Sequence, residues 1–183
     1  MPTDIGVFVE CCKFGYIYVE KDILIDLSKN TGEIPINRES ISIGKFIDSI
    51  KGQMQSVVAM KKMNLIIAIM DESFRIEIDT VLMERAIINV LSNAVDHSPT
   101  HGEIIFNVTK DKGKCKISII DSGPGFTPAA LKYGLERFFM DDKSRNYQHH
   151  YGMGLYITNS IVTQHGGKVE LKNKRGAEVD III

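Results

Sequence analysis

Two asparagines one helical turn apart are the first residues in this chain that could do chemistry. Asn89 and Asn93 lie in a segment with apolar residues at helical spacing, and Arg85, Asp96 and His97 continue their polar stripe. A solvated helix face would explain the stripe, but asparagine suits one poorly, because its amide competes for backbone groups. Amide oxygens in register can instead bind Mg²⁺, which prefers hard oxygen ligands and shares them with substrate phosphates.

A carboxylate directly after an apolar strand is the second candidate. Asp121 follows Lys116–Ile120 and begins the turn Asp-Ser-Gly-Pro-Gly. Aspartate and glycine are common turn residues, so a simple turn is the alternative explanation. An ionised carboxylate only accepts hydrogen bonds, so Asp121 could accept one from the amine of an adenine. Gly123 and Gly125 would let the backbone approach that ligand without a Cβ clash.

A glycine-containing helix start is the third candidate. Gly152, Met153, Gly154 and Leu155 open the last helical segment. Helix N-termini bind phosphate, because free N–H groups and the positive end of the helix dipole point at the anion. A Gly-x-Gly sequence is weak evidence when it stands alone.

Periodicity predicts the elements that would position these residues. Helices are predicted over 16–28, 42–60, 80–97 and 154–165, and strands over 64–70, 74–78, 104–109, 114–120, 168–173 and 177–183. Residues 127–150 are charged and lack a regular pattern, and a loop of that length is usually functional or mobile. Helices interleaved with antiparallel hairpins predict an α+β fold, a two-layer sandwich.

Composition narrows the function classes. The 183 residues are 44% hydrophobic and carry 22 basic and 23 acidic side chains, which excludes a disordered or fibrous protein. Near-neutral net charge offers no overall field for a nucleic acid. No apolar stretch approaches the roughly 20 residues that span a bilayer. The cysteines, Cys11 beside Cys12 and Cys115 alone, indicate a reducing compartment such as the cytosol.

Four motifs, taken in order, resemble a known family. The segments NVLSNAVDHSP, DSGPGF, LERFFMDDKSR and YGMGLYI are similar to the N, G1, F and G2 boxes of the catalytic ATP-binding domain of sensor histidine kinases. That domain belongs to the ATPase group that includes gyrase B, MutL and heat-shock chaperone ATPases. The resemblance covers about residues 37–183. It implies a Bergerat-type fold, in which helices cover one face of a mixed sheet and ATP lies between the helices and a flexible lid.

The resemblance also implies residue roles. Asn93 would bind Mg²⁺ with Asn89 as its catalytic polar partner, and Asp121 would recognise adenine. Further contacts to ATP are implied for Asp96, His97, Gly123, Gly125, Phe138, Lys143, Arg145, Gly152, Met153, Gly154 and Leu155. Hydrolytic members of the group carry a Glu general base where this chain has Asn89. Because an amide cannot accept a proton at neutral pH, Asn89 favours phosphoryl transfer to another nucleophile.

Several residues depart from the family pattern. Asp96 stands where the family usually has Lys, His97 where Tyr is common, and His150 where the first glycine of the G2 box is expected. Lowered phosphate affinity is the expected consequence, and a non-catalytic nucleotide-sensing module of the same fold is the alternative function. A switch kinase that phosphorylates serine is a third interpretation, but such kinases usually keep an acidic residue at position 89.

None of the five histidines of this sequence has the neighbour that is expected after a phosphoacceptor histidine. An acceptor should be followed by an acidic residue, and none of His97, His101, His149, His150 and His165 is. The acceptor is therefore expected upstream, with residues 1–36 as the end of a dimerisation and phosphoacceptor helical region and 37–183 as the catalytic domain. The resemblance implies the chain's own dimerisation helices and a response regulator as partners. It also implies a membrane-anchored, homodimeric full-length sensor with this domain in the cytoplasm.

Overall fold

A five-stranded mixed sheet organises the computed structural model, which describes residues 35–139 and 153–183. In chain order the elements are β1 (Glu39–Ser42), α1 (Ile43–Ala59), β2 (Asn64–Ile69), β3 (Arg75–Ile78), α2 (Thr80–His97), β4 (Glu103–Asp111), β5 (Lys114–Ile120), α3 (Pro128–Tyr133), α4 (Gly154–Gln164), β6 (Lys168–Asn173) and β7 (Ala177–Ile182). The helix predicted over 16–28 lies outside the described residues.

The sheet has the strand order β2-β4-β5-β7-β6. Strand β2 runs parallel to β4, whereas all other neighbours in this sheet are antiparallel. Strands β1 and β3 form a separate two-stranded antiparallel sheet. The predicted α+β fold with a mixed sheet and helices on one face is confirmed.

Alternation along the strands places the core on one face of the sheet. Phe106 of β4 and Ile117 of β5 are fully buried together with Phe46 of α1 and Met83 and Leu91 of α2. Each such side chain stabilises the fold by about 1.5–3 kcal/mol relative to its exposed state. No helix within the described ranges is long and apolar enough to cross a membrane.

Helix α2, which carries the asparagine pair, is secured at both ends. At its start the Asp79 side chain accepts a hydrogen bond from the N–H of Leu82 at 3.0 Å and so caps the helix. At its end Lys61 Nζ donates to the carbonyl oxygens of Asp96 and Ser98, at 2.7 and 3.2 Å. A cation is favourable there because it meets the negative end of the helix dipole.

Two short elements differ from the sequence-based expectation. Strand β1 was not expected, because four residues of mixed polarity carry no clear pattern and their pairing with β3 is a tertiary contact. The prediction that residues 127–150 lack a regular pattern is wrong at the start of this range, where α3 forms. Thr127 Oγ1 accepts a hydrogen bond from Ala130 N at 3.1 Å and Pro128 takes the first turn, so both helix-start signals were readable.

A buried carboxylate lies on the sheet face away from the helices. Asp180 of β7 is fully buried and accepts from Ser118 Oγ at 2.6 Å, Lys172 Nζ at 2.8 Å and Lys116 Nζ at 2.9 Å. Burial alone would raise the pKa of Asp180, but the hydrogen bonds from Lys172, Ser118 and Lys116 outweigh burial and lower the pKa below 3.8. The ionised form is therefore the one that the fold stabilises.

We expect Asp180→Asn to lower the free energy of unfolding by about 1–3 kcal/mol at pH 7, since it removes a charged acceptor shared by three donors. A carboxyl with a lowered native pKa stabilises above its unfolded pKa and loses that contribution as the pH falls through the native pKa. The difference between variant and wild type should therefore shrink below about pH 4.

Urea unfolding across this pH range measures the effect. Glu170→Gln is the matched control, because Glu170 pairs with Lys168 and Lys172 at the surface, and its removal should change stability by less than about 0.5 kcal/mol. An equal loss in both variants at pH 7 would contradict the role given to Asp180.

Candidate functional site

Asn93, in the polar stripe of α2, lies beside the beginning of α4. Asn89, Asn93 and Asp96 are half-buried, while His97 is exposed. A Cβ built on Gly154 would lie 3.3 Å from Asn93 Nδ2, so a larger residue at position 154 would crowd the asparagine. Asn93 and the predicted phosphate-binding helix start therefore lie side by side.

A buried hydroxyl fixes how α4 packs on α2. Thr158 is fully buried, and its Oγ1 lies 3.2 Å from the carbonyl oxygen of Ala86 and 3.0 Å from that of Gly154. Met153 occupies the N-cap position of α4 and makes no side-chain cap hydrogen bond. The N–H groups that open α4 thus lack a side-chain cap from Met153, which is the condition in which a helix start can bind an anion.

Asp121 continues β5 and is 6% exposed. Its Oδ1 accepts hydrogen bonds from the N–H groups of Gly123 at 2.9 Å and Ala177 at 2.8 Å, which hold the carboxylate in one orientation. Within the described part of the chain, Oδ2 makes no hydrogen bond. This oxygen is the acceptor available to a ligand.

Burial raises the pKa of the Asp121 carboxyl above its ordinary value of 3.8. The hydrogen bonds from Gly123 and Ala177 and the nearby His97 oppose this effect without cancelling it. An ionised carboxylate held away from water is a strong acceptor, because the low local dielectric strengthens its hydrogen bonds.

Two glycines allow three elements to meet around Asp121. A Cβ on Gly123 would lie 2.5 Å from the carbonyl oxygen of His97, and a Cβ on Gly176 would lie 2.4 Å from both Asp121 O and Asp121 Oδ1. Cβ atoms do not approach oxygens this closely, so only glycine fits at either position. The end of α2, the end of β5 and the turn before β7 therefore form one cradle.

We expect Gly176→Ala to destabilise the protein by about 1–3 kcal/mol and to displace the Asp121 carboxylate, because the added methyl must push the Asp121 backbone and side chain away. Nucleotide affinity should fall with it. Thermal unfolding and a nucleotide titration of the same sample measure the two effects.

Gly52→Ala is the matched control for this substitution. Gly52 lies in α1 with open space around its missing Cβ, so alanine should raise stability by about 0.5–1 kcal/mol through helix propensity. Unchanged stability and binding in Gly176→Ala would show that the cradle tolerates a methyl group.

Asn173 holds the segment at Phe126, which follows the turn after Asp121. Its Oδ1 accepts from Phe126 N at 2.8 Å and its Nδ2 donates to Phe126 O at 2.9 Å. Gly125 precedes this clamp at φ +82°, and a Cβ there would lie 2.9 Å from Asn173 Oδ1. The left-handed backbone and the close approach both require glycine, which explains the second glycine of the motif.

Of the remaining predicted ligands, Phe138 and Leu155 lie within the described residues. Phe138 is 60% exposed at φ +61°, with the guanidinium of Arg137 4.7 Å from its ring centre. Leu155 is half-buried against the core beside Met153. The others, Lys143, Arg145 and Gly152, lie outside the described residues.

Sequence reasoning missed three residues of this site: Asn173, Gly176 and Ala177. They belong to β6, β7 and the turn between them, and contact the Asp121 loop only because β7 pairs with β5. The glycine in that turn was the one readable signal.

The residues present fit a magnesium ion that is shared with phosphates. Asn93 offers a neutral amide oxygen, and no group of three His, Cys, Asp or Glu side chains within residues 35–139 and 153–183 could hold a metal ion by itself. Mg²⁺ typically takes one or two protein ligands and completes its shell with water and phosphate. The site has the donor set for that arrangement.

Comparison with known proteins places the chain in a family. Residues 78–183 match the family described as Histidine kinase-, DNA gyrase B-, and HSP90-like ATPase. Sensor histidine kinase SpaK of Bacillus subtilis is 37% identical over 177 residues, which cover 92% of this chain and 36% of SpaK. Hybrid signal transduction histidine kinase D of Dictyostelium discoideum is 29% identical over 157 residues, 82% of this chain and 10% of that protein.

Solved structures share the fold. The catalytic domain of histidine kinase ThkA superposes with a TM-score of 0.70 at 20% identity, covering 80% of this chain and 95% of that one. Full-length ShkA in complex with AMPPNP superposes with a TM-score of 0.72 at 20% identity, covering 88% of this chain and 33% of that one.

The family match extends over more than half of the chain, and the chain therefore belongs to the histidine kinase-, DNA gyrase B-, and HSP90-like ATPases. Within this family it is the ATP-binding catalytic domain of the sensor histidine kinase type. The chain spans about a third of SpaK and about a tenth of the Dictyostelium kinase.

Proposed function

We propose that this chain binds ATP with Mg²⁺ and transfers the γ-phosphate to a histidine on the dimerisation helices of a two-component sensor kinase. The observation that carries the proposal is the cradle around Asp121, which lies at the end of the same helix that places Asn93 beside Gly154. One end of this site suits an adenine and the other suits phosphates.

Adenine recognition is assigned to Asp121. Its Oδ2 accepts the hydrogen bond of the adenine amine while Oδ1 stays on the amides of Gly123 and Ala177. The absence of side chains at Gly123 and Gly176 leaves the backbone close to the base. AMPPNP, the compound bound to the related ShkA, is an ATP analogue, which supports a nucleotide as the ligand.

Phosphate binding is assigned to the other end of the site. Asn93 would hold Mg²⁺, which when bound neutralises charge on the phosphates. The N–H groups that open α4 bind phosphate oxygens, and Lys143 and Arg145 supply further positive charge. Asn89 orients polar groups but cannot remove a proton, so the site positions ATP for an acceptor histidine and does not activate water.

The partners follow from the same proposal. Residues 1–36 would be the end of the dimerisation and phosphoacceptor region and 37–183 the catalytic domain. The phosphate would pass from histidine to a response regulator, and the whole sensor would be a membrane-anchored homodimer with this domain in the cytoplasm. The kinase names of SpaK and the Dictyostelium relative support a place in such a phosphorelay.

Two measurements test the proposal. Calorimetry with ATP and ADP should show binding that Mg²⁺ strengthens, and no binding at millimolar nucleotide would refute it. Mixing the chain with the upstream dimerisation segment and labelled ATP should produce acid-labile phosphohistidine. Binding without phosphohistidine would identify a nucleotide-sensing module, the function that Asp96 and His150 suggested.

A further inference from the structure

A set of hydrogen bonds joins the segment before β1 to both helices of the nucleotide site. The backbone N–H of Asn37 donates to Asp79 Oδ2 at 2.9 Å, and Asp79 Oδ1 caps α2. The backbone N–H of Asp79 donates to His165 Nε2, also at 2.9 Å, directly after α4 ends. Arg38 Nη2 donates to the carbonyl oxygen of Gln164 at 2.8 Å. We call Asn37, Arg38, Asp79 and His165 the joint.

His165 is the centre of the joint. It is only 7% exposed, and its Nδ1 lies 2.7 Å from the carbonyl oxygen of Ile161. Because Nε2 accepts from Asp79, Nδ1 carries the hydrogen and donates to Ile161, which assigns the neutral imidazole from its partners. Both ring nitrogens are thus committed, one to α4 and one to the start of α2.

The joint lies where α2 begins and α4 ends. The proposed phosphate end of the site lies near the end of α2 and at the start of α4. Along α2, Asn93 is about 21 Å from Asp79, and along α4, Gly154 is about 16 Å from His165, at about 1.5 Å per residue. The two helices meet again at Thr158 and Ala86 and at Gly154 and Asn93. Contacts therefore connect the two helices at both ends and between, and we expect a change at the joint to alter the contact of Gly154 with Asn93.

We propose that His165 is a positioning residue for phosphoryl transfer. Through Asp79 it holds α2 and α4 in the relative placement that brings Asn93 and the start of α4 to the phosphates. Through Asn37 and Arg38 the same joint connects that placement to the chain that leads in from residues 1–36. The inference rests on the proposed function, in which those residues belong to the dimerisation region.

Two substitutions at position 165 separate positioning from general stability. His165→Asn keeps an amide donor for Ile161 but loses the acceptor for Asp79 N–H, whereas His165→Gln places an amide oxygen where Nε2 lies. We expect His165→Asn to weaken Mg-ATP binding about 3- to 10-fold, the effect of one lost neutral hydrogen bond, and His165→Gln to restore most of it. Adenosine affinity should stay unchanged in both, since Asp121 remains in place.

The connection to the leading segment is tested with Arg38→Ala. Its effect on Mg-ATP affinity should match His165→Asn in direction and should not add to it in the double variant, because both break the same joint. Arg75→Ala is the matched control, since Arg75 also donates to a backbone carbonyl, that of Ser40 at 2.7 Å, but lies on β3 away from both helices.

Amide chemical shifts in the nucleotide-free chain make the test independent of ATP binding. The Asn93 side-chain amide and the Gly154 amide should shift in His165→Asn and Arg38→Ala but not in Arg75→Ala. Unshifted signals, or equal losses of Mg-ATP and adenosine affinity, would overturn the inference. If His165→Asn does not fold, Arg38→Ala decides the question. If the wild-type chain binds no ATP, the proposed function is refuted. The chemical shifts would then still test whether the joint controls the contact between Asn93 and Gly154.

Discussion

Replacing Asp121 with asparagine should weaken ATP binding by roughly 10- to 150-fold while the fold survives. The variant amide oxygen can still accept from the N–H groups of Gly123 and Ala177, which hold Oδ1 in the wild type. The amide nitrogen then takes the place of Oδ2. Because this nitrogen and the adenine amine are both hydrogen-bond donors, the hydrogen bond to adenine is lost. A hydrogen bond to a charged group contributes about 1.5–3 kcal/mol, and each 1.4 kcal/mol is a tenfold change in affinity.

In Asp121→Asn the free energy of unfolding should stay the same or rise, whereas the affinity for ATP should fall. Burial raises the pKa of Asp121, so the folded protein bears a cost for keeping this carboxylate ionised at neutral pH. A carboxyl with a raised native pKa contributes most stability at low pH, and that contribution is lost as the pH rises through the native pKa. Asp121→Asn should therefore be at least as stable as the wild type at pH 7, with the difference shrinking below about pH 4.

Calorimetry with ATP and thermal unfolding at both pH values measure the two effects. Guanine nucleotides provide a further check, because guanine presents an oxygen where adenine presents its amine, so the variant amide should discriminate less against GTP than the wild type. Affinity for ATP that does not change would remove Asp121 from the adenine site. A parallel loss of stability and binding would mean that Asp121 mainly holds the cradle together.

Local signals explain why the helices could be predicted from the sequence. Helix α2 has an N-cap at Asp79, an apolar face at helical spacing and an end at Ser98, all within a short stretch of chain. Helix α4 ends before Gly166, which has φ +78°. Such signals need no knowledge of the rest of the fold, so the predicted bounds of α1, α2 and α4 differ from the observed ones by at most one residue at each end, whereas the short helix α3 was missed.

The contacts that complete the site depend on distant pairing. Ala177 reaches Asp121 across 56 positions of sequence, and His165 reaches Asp79 across 86. The first contact requires β7 to insert between β5 and β6, and the second requires α4 to pack along α2. Motif order indicated that Asn93, Asp121 and Gly154 act together, but propensity and periodicity carry no information on which strand lies beside which.

In the proposed function, helix α2 connects the residues assigned to adenine with those assigned to the phosphates. The last turn of α2 meets the cradle around Asp121 at His97, and the preceding turn carries Asn93 beside α4. About one helical turn therefore separates the end proposed for the base from the end proposed for the phosphates. This arrangement predicts that damage at one end of the site leaves binding at the other end measurable.

Asn93→Ala tests that separation and should lower phosphoryl transfer about 10²-fold or more. Removing the amide oxygen removes the only side-chain metal ligand proposed for this site, and a bound metal ion supplies several kcal/mol of charge stabilisation in the transition state. Mg²⁺ should no longer strengthen ATP binding, whereas adenosine should bind as in the wild type through Asp121. Calorimetry with and without Mg²⁺, together with the phosphohistidine assay, measures these effects.

Asn107→Ala is the matched control for the loss of an asparagine. Asn107 is half-buried on β4, opposite Ser118 and on the sheet face away from the helices, so its removal should leave nucleotide binding and transfer unchanged. Asn93→Ala should unfold within about 1 kcal/mol of the wild type, because the side chain is half-buried and no hydrogen bond within the described residues depends on it. Mg²⁺-dependent ATP binding that persists in Asn93→Ala would assign the metal to other ligands and leave Asn93 as a packing partner of Gly154.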